Sequence, residues 1–66
     1  MQLTEYKVVE TQTVTDEELQ RIVNHWVRQG WTFDGVQFAM RESSKRPAMA
    51  FITFTRLVEV PDPAGN

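Results

Sequence analysis

The chain has 66 residues, a formal net charge of −2, 41% hydrophobic residues and no cysteine. That length allows one small domain, and the lack of cysteine excludes disulfides and thiolate metal sites. The acidic balance argues against bulk electrostatic binding of nucleic acid or of an anionic membrane. A chain this short buries only about 60% of the surface that its unfolded form exposes, so its core needs very good packing or self-association.

The sequence also carries no pattern for export or membrane insertion. A charged segment followed by an apolar signal-peptide core is not found, and no apolar run approaches the roughly 20 residues that span a bilayer. We therefore expect a cytoplasmic protein without membrane contact.

The first predicted element is a strand over residues 3–12, which are rich in β-branched and aromatic types. Strict alternation puts Tyr6 and Val8 on one side of this strand and Lys7 and Val9 on the other.

A helix over residues 16–29 follows the strand. Thr15 begins a capping box, in which its hydroxyl accepts the amide of Glu18 and the Glu18 carboxylate reaches back to the Thr15 amide. Gly30 is typical of a residue that ends a helix. Between these signals the apolar residues recur with the helical period, at Leu19, Ile22, Val23, Trp26 and Val27.

Two further strands are predicted, with a polar loop over residues 41–47 between them. The alternation of residues 31–40 slips at Asp34-Gly35, which indicates a bulge or a hairpin turn. We favour the bulge, because a turn there would leave only about two paired residues before it. Residues 48–57 are apolar on both sides, which is typical of a central strand.

These elements predict an α+β fold of order β-α-β-β. The sheet has three strands in the order 1-3-2, with strand 3 central and the helix on one face. The domain is expected to span 1–58, and the proline- and glycine-containing segment 59–66 to be a disordered tail. We expect most of six aromatic side chains to lie in the core: Trp26, Trp31, Phe33, Phe38, Phe51 and Phe54.

Several short motifs resemble a known family. They are Tyr6-Lys7-Val8-Val9, the helical Leu19, Ile22, Val23 and Asn24, the pair Gly30-Trp31, and Phe54-Thr55-Arg56. Over about residues 5–56 the chain resembles the small bacterial and phage domains of domain-of-unknown-function family 4177. It is also similar to the related 1737 group, which shares Tyr-x-Val, Gly-Trp and a later glycine, matched here by Gly35. Thr32-Phe33 departs from the acidic-aliphatic pair usual after Gly-Trp. The resemblance implies a β-α-β-β fold and a bacterial or phage source, and it brings no catalytic residues to this chain.

The residue chemistry predicts no catalytic, cofactor-binding or metal site. His25 is the one histidine, it lies away from the apolar stripe, and no cysteine is available as its nucleophile. The acidic run Asp16-Glu17-Glu18 is explained by helix capping rather than by a cation. We therefore expect a protein that is not an enzyme and that needs no cofactor.

Two functional hypotheses remain. In the first, Met49, Phe51 and Thr53 lie on the sheet face that the helix leaves uncovered, and this face forms a homodimer or binds an unidentified protein partner. In the alternative, the protein is a nucleic-acid-associated accessory protein. Four basic residues would then contact phosphates: Arg41, Lys45, Arg46 and Arg56.

Overall fold

Three strands and one helix follow one another in the predicted order. The computed structural model describes residues 1–40 and 46–61. The elements are β1 (Gln2–Thr11), α1 (Asp16–Val27), β2 (Thr32–Met40) and β3 (Pro47–Glu59). β3 lies between β1 and β2 and pairs antiparallel with both of them. The α+β fold, the β-α-β-β order and the strand order 1-3-2 are therefore confirmed.

The start of α1 keeps one half of the predicted capping box. The Thr15 Oγ1 accepts a hydrogen bond of 3.1 Å from the Glu18 amide, which satisfies one of the unpaired donors of the first turn. The Glu18 carboxylate does not return to Thr15. It accepts two hydrogen bonds of 2.7 Å from the Arg21 guanidinium, so this half of the prediction is wrong.

Gly30 ends the helix as predicted. Its φ is +95°, a left-handed conformation that glycine adopts without steric cost. The Gly30 amide donates to the Val27 carbonyl and the Trp31 amide to the Trp26 carbonyl, each at 3.1 Å. This pair of hydrogen bonds is the Schellman motif, and it turns the chain directly into β2.

The slip of alternation in β2 is a bulge. Phe33 lies opposite Phe54 and Gly35 lies opposite Thr53, so β2 uses one extra residue, Asp34, between two consecutive positions of β3. Because of this insertion, Phe33 and Val36 lie on the same side of the sheet despite their different parity.

The core lies between α1 and the middle of the sheet. Its buried residues are Ile22, Trp31, Ala50, Ile52 and Phe54, and Val9, Val14, Leu19, Val23 and Trp26 pack around them. α1 has 12 residues and β3 has 13, yet a helix rises only about 1.5 Å per residue against about 3.3 Å in a strand. The helix is therefore less than half as long as the sheet that it covers.

Two of the predicted core residues, both on β2, are not buried beneath α1. Phe33 is 44% exposed and Phe38 is 48% exposed, although both lie on the helix side of the sheet. The prediction of core positions holds for Trp31 and Phe54 and is wrong for these two phenylalanines. Alternating side chains show which side of a strand is apolar, but not how far along the strand a helix extends.

The ordered sheet runs past the predicted domain boundary at residue 58. Glu59 belongs to β3, and the Val60 amide donates a hydrogen bond of 2.9 Å to the Met1 carbonyl. The Met1 ammonium in turn donates to the Val60 carbonyl at 3.2 Å and lies 3.6 Å from Glu59 Oε1. The predicted disordered tail, 59–66, is therefore wrong for its first two residues, while 62–66 lie outside the described residues.

In the part of the chain that the structure describes, α1 is too short and too polar to cross a bilayer, and no other helix could do so.

Candidate interaction surfaces

The sheet has one side that α1 covers and one that it does not. Ala50, Ile52 and Phe54 point toward α1, so the alternate residues of β3 point away from it. Opposite residues in neighbouring strands share a side, and the register extends this assignment to β1 and β2. We call the uncovered side the back face. Its members are Gln2, Thr4, Tyr6, Val8 and Glu10 on β1, Thr32, Gly35, Gln37 and Ala39 on β2, and Met49, Phe51, Thr53, Thr55, Leu57 and Glu59 on β3.

The three residues predicted for the uncovered face all lie there. Met49, Phe51 and Thr53 follow one another on the back face of the central strand, and each is half-buried by its neighbours in β1 and β2. Their role in self-association stays a prediction.

More exposed apolar side chains on the back face were missed by the sequence reasoning. Tyr6 and Leu57 are each 66% exposed and Val8 is 61% exposed. Tyr6 lies opposite Thr55 and Val8 opposite Thr53, so this apolar surface runs from the edge strand onto the central one. The alternation of β1 indicates that Tyr6 and Val8 lie on the same side of the strand. The pairing register of β1 with β3 is needed to place Leu57 beside them.

Charge is confined to the ends of the back face. Of the residues that the register assigns to it, only Glu10 and Glu59 are charged, and they lie toward opposite ends of the paired strands β1 and β3. Between them are aromatic, aliphatic and threonine side chains. An uncharged centre with a polar rim is the usual composition of a protein–protein interface.

A second apolar surface lies on the helix side, beside α1. A groove of about 230 Å³ separates α1 from β2. Its lining is apolar, with two amide side chains, and consists of Leu19, Gln20, Val23, Asn24, Phe33, Val36 and Ile52. Farther along β2 on the same side, Phe38 is 48% exposed. The sequence reasoning missed this surface because it assigned the phenylalanines of β2 to the core.

A cluster of cationic and aromatic side chains lies on the helix side of the sheet, near β1 rather than β2. The Lys7 Nζ lies 4.2 Å from the centroid of the Trp26 ring and 5.2 Å from that of Trp31. The Arg56 guanidinium lies 4.4 Å from the Trp31 ring, and its Nε donates a hydrogen bond of 2.6 Å to Glu5 Oε1. Both cations are thus held against aromatic faces, which is a stabilising arrangement.

The four residues of the nucleic-acid hypothesis do not all lie together. Arg46 is exposed directly before β3, whereas Arg56 lies ten residues farther along, roughly 33 Å away in an extended strand. Arg56 is engaged by Glu5 and Trp31. Arg41 and Lys45 lie outside the described residues. A phosphate site on the loop would therefore not include Arg56.

His25 is exposed on α1. Its ring makes an edge contact with Trp26, with centroids 4.8 Å apart, and its Nε2 lies 3.0 Å from the Gln29 Nε2. Within residues 1–40 and 46–61, no three histidine or carboxylate side chains come together in a way that could hold a metal ion. In the same residues, every buried side-chain nitrogen and oxygen has a hydrogen-bond partner.

Comparisons of the chain with protein-family models, with curated proteins and with solved structures found no match. The resemblance to family 4177 and the 1737 group stays a prediction from sequence motifs.

Proposed function

We propose that this protein is a small cytoplasmic interaction module without enzymatic activity, and that it forms a homodimer through its back face. The observation that supports this proposal is the exposure of Tyr6, Val8 and Leu57, each more than three-fifths exposed on one surface whose charged residues lie only toward its ends. Contiguous apolar patches of this kind on a soluble domain mark interaction sites.

The chemistry of the back face favours a second copy as its occupant. The face offers no basic side chain, and its two acidic ones lie toward opposite ends, so a highly charged partner would find no complementary charge at the centre. A second copy brings the same apolar and threonine surface. A two-fold axis through the sheet then leaves Glu10 and Glu59 at the rim, in contact with water.

The dimensions of the back face fit a small dimer. β3 has 13 residues, which gives a length of about 43 Å, and three strands give a width of about 14 Å. Because β1 and β2 have only 10 and 9 residues, the three strands together cover about 500 Å² at the usual spacings, which is below the roughly 800 Å² that each partner buries in a standard interface. Two such sheets would stack about 10 Å apart, as in a sandwich.

Stability supplies a second reason for association. Only five hydrophobic side chains are buried in the described residues, a small core for a chain without disulfides. Burying a side chain of this kind contributes about 1.5–3 kcal/mol. Covering Tyr6, Val8 and Leu57 in each subunit would therefore add substantially to a marginal core.

The test is Val8→Lys, followed by sedimentation mass. Val8 lies on an edge strand and is exposed in the single chain, so a lysine there should remain in water and cost little. In a dimer the same lysine would be an unpaired charge in an apolar interface, where the cost is several kcal/mol. We expect Val8→Lys to halve the mass measured for the wild-type protein.

Leu3→Lys is the matched control. Leu3 lies on the same strand and is 48% exposed, but the register puts it on the helix side, opposite Val58. It should keep the wild-type mass. The proposal is wrong if Val8→Lys sediments like the wild type, or if both lysine variants lose mass equally.

A further inference from the structure

The two edges of the sheet differ in how well they resist pairing with another strand. Edge strands expose unpaired backbone groups, and inward-pointing charges are a common protection. β1 carries Glu5, Lys7 and Glu10, and Lys7 points to the helix side, where its Nζ lies over Trp26. A strand added beside β1 would meet these charges.

β2 has no such protection over most of its length. Its one charged residue is Asp34, in the bulge, and the six residues that follow are Gly-Val-Gln-Phe-Ala-Met, without charge or proline. Within the residues that the structure describes, β2 pairs with β3 alone. A long uncharged edge of this composition is a template for strand addition.

Apolar side chains beside this edge are also exposed to solvent. Val36 is 36% exposed and Phe38 is 48% exposed, both on the helix side. Val36 lines the groove between α1 and β2, together with Leu19 and Val23 of the helix. An additional strand beside β2 would therefore gain backbone hydrogen bonds and cover these apolar groups at once.

We propose that β2 pairs antiparallel with β2 of a second copy, which joins the two sheets into one of six strands. A second copy is the partner we infer, because its β2 edge is equally uncharged and its Val36 and Phe38 are equally exposed. Six strands is a common sheet size, and both helices would lie on the same side, flanking the seam.

The register of this pairing follows from the side chains. Opposite residues share a side of the sheet, so one residue of β2 must lie opposite its own copy. With Gln37 at that position, Val36 of each chain faces Phe38 of the other, and Gly35 faces Ala39. This register forms two aromatic–aliphatic cross-strand pairs and leaves the bulge at Asp34 outside the paired segment.

The edge pairing goes beyond the back-face dimer: it depends on the backbone of β2 and on Val36 and Phe38, which lie on the helix side, whereas the back-face dimer depends on Tyr6, Val8 and Leu57. A chain that uses both surfaces forms a tetramer, in which two six-stranded sheets stack back to back. A chain that associates only through the back face, or only through the β2 edge, forms a dimer. The two proposals can therefore fail separately.

Phe38→Lys tests the edge, with Leu3→Lys as its control. Both positions are 48% exposed and both lie on the helix side, but on opposite edge strands. We expect Phe38→Lys to halve the sedimentation mass, whether or not the back face also associates, and Leu3→Lys to leave it unchanged. An unchanged mass for Phe38→Lys overturns the edge pairing and leaves the back-face dimer untouched.

A cross-linking experiment tests the pairing of β2 with β2 of a second copy if Phe38→Lys fails to fold. The natural chain has no cysteine, so Gln37→Cys supplies a single thiol at the seam, where opposite Cα atoms would be close enough for a disulfide. The Val8→Lys background removes any contact through the back face. With dissolved oxygen as the oxidant of the two thiols, Gln37→Cys should form a disulfide dimer at least tenfold faster than Thr4→Cys, which lies on the β1 edge in the same background. Equal rates would overturn the proposal.

Discussion

Arg56 covers the indole ring of Trp31, with its guanidinium 4.4 Å from the ring centroid. Trp31 is only 8% exposed, and the same guanidinium is held by Glu5, the residue directly opposite Arg56 in the register of β1 and β3. The arginine thus joins the two strands to the residue that leads from α1 into β2. The arginine that the sequence suggested for phosphate contact is thus engaged within the fold, and its contact with a phosphate stays a prediction.

We expect Arg56→Ala to lower the free energy of unfolding by about 1 kcal/mol. A partly exposed cation–aromatic contact contributes about 0.5–1 kcal/mol, and an exposed ion pair contributes about as much or less. Arg56→Lys should lose part of this, because an ammonium keeps the charge but not the planar stack. Urea unfolding at a fixed protomer concentration measures the difference. Equal midpoints for all three proteins would show that the cluster adds nothing to stability.

Gly30→Ala should destabilise the protein by about 1 kcal/mol, because an alanine pays a steric cost at φ +95°. Gly35→Ala is the matched control. A Cβ at either position would meet no atom within 4 Å, but Gly35 has no left-handed φ. Thermal unfolding should therefore show a lower midpoint for Gly30→Ala and little change for Gly35→Ala. Similar losses at both sites would mean that the helix end does not depend on its backbone conformation.

Stability should fall in acid partly through Glu18. The two hydrogen bonds from Arg21 hold the pKa of the Glu18 carboxyl below its ordinary value, against a smaller opposing effect of desolvation. At a pH between the native and the unfolded pKa, Glu18 is protonated in the unfolded chain and ionised in the native protein. The stabilisation is therefore complete above the ordinary glutamate pKa of about 4.3. It is lost as the pH falls through the lower native value.

Glu18→Gln should remove this part of the pH dependence. Melting temperatures between about pH 6 and pH 2 should fall less steeply for Glu18→Gln than for the wild type. Arg21→Gln should act in the same direction, because it removes the donor that lowers the Glu18 pKa. Parallel curves for the three proteins would contradict the assignment.

Local signals were enough to predict most of the fold. Thr15 and Gly30 mark the two ends of α1, and the phase slip at Asp34-Gly35 marks the bulge, because each of these features depends on residues close together in the chain. The central position of β3 was predicted from its two apolar sides, which are typical of a central strand, although α1 covers only one of them.

The remaining features depend on contacts between distant residues. Glu18 had two possible partners within one turn, and the geometry of Arg21 decided between them. The exposure of Phe38 depends on how far α1 reaches along the sheet, which no periodicity records. Tyr6 and Leu57 lie on the same face only because of how β1 pairs with β3. Met49, Phe51 and Thr53 lie on one strand and were identified from its alternation, while their more exposed neighbours were missed.

The position of Lys7 has a consequence for spectroscopy. The chain has two tryptophans, and both rings lie within about 5 Å of this one ammonium group. Tryptophan fluorescence therefore reports on a single place, the junction between the end of α1 and the sheet. It will follow the loss of that junction on unfolding, whereas the back face, which carries no tryptophan, can gain or lose a partner with little change in emission.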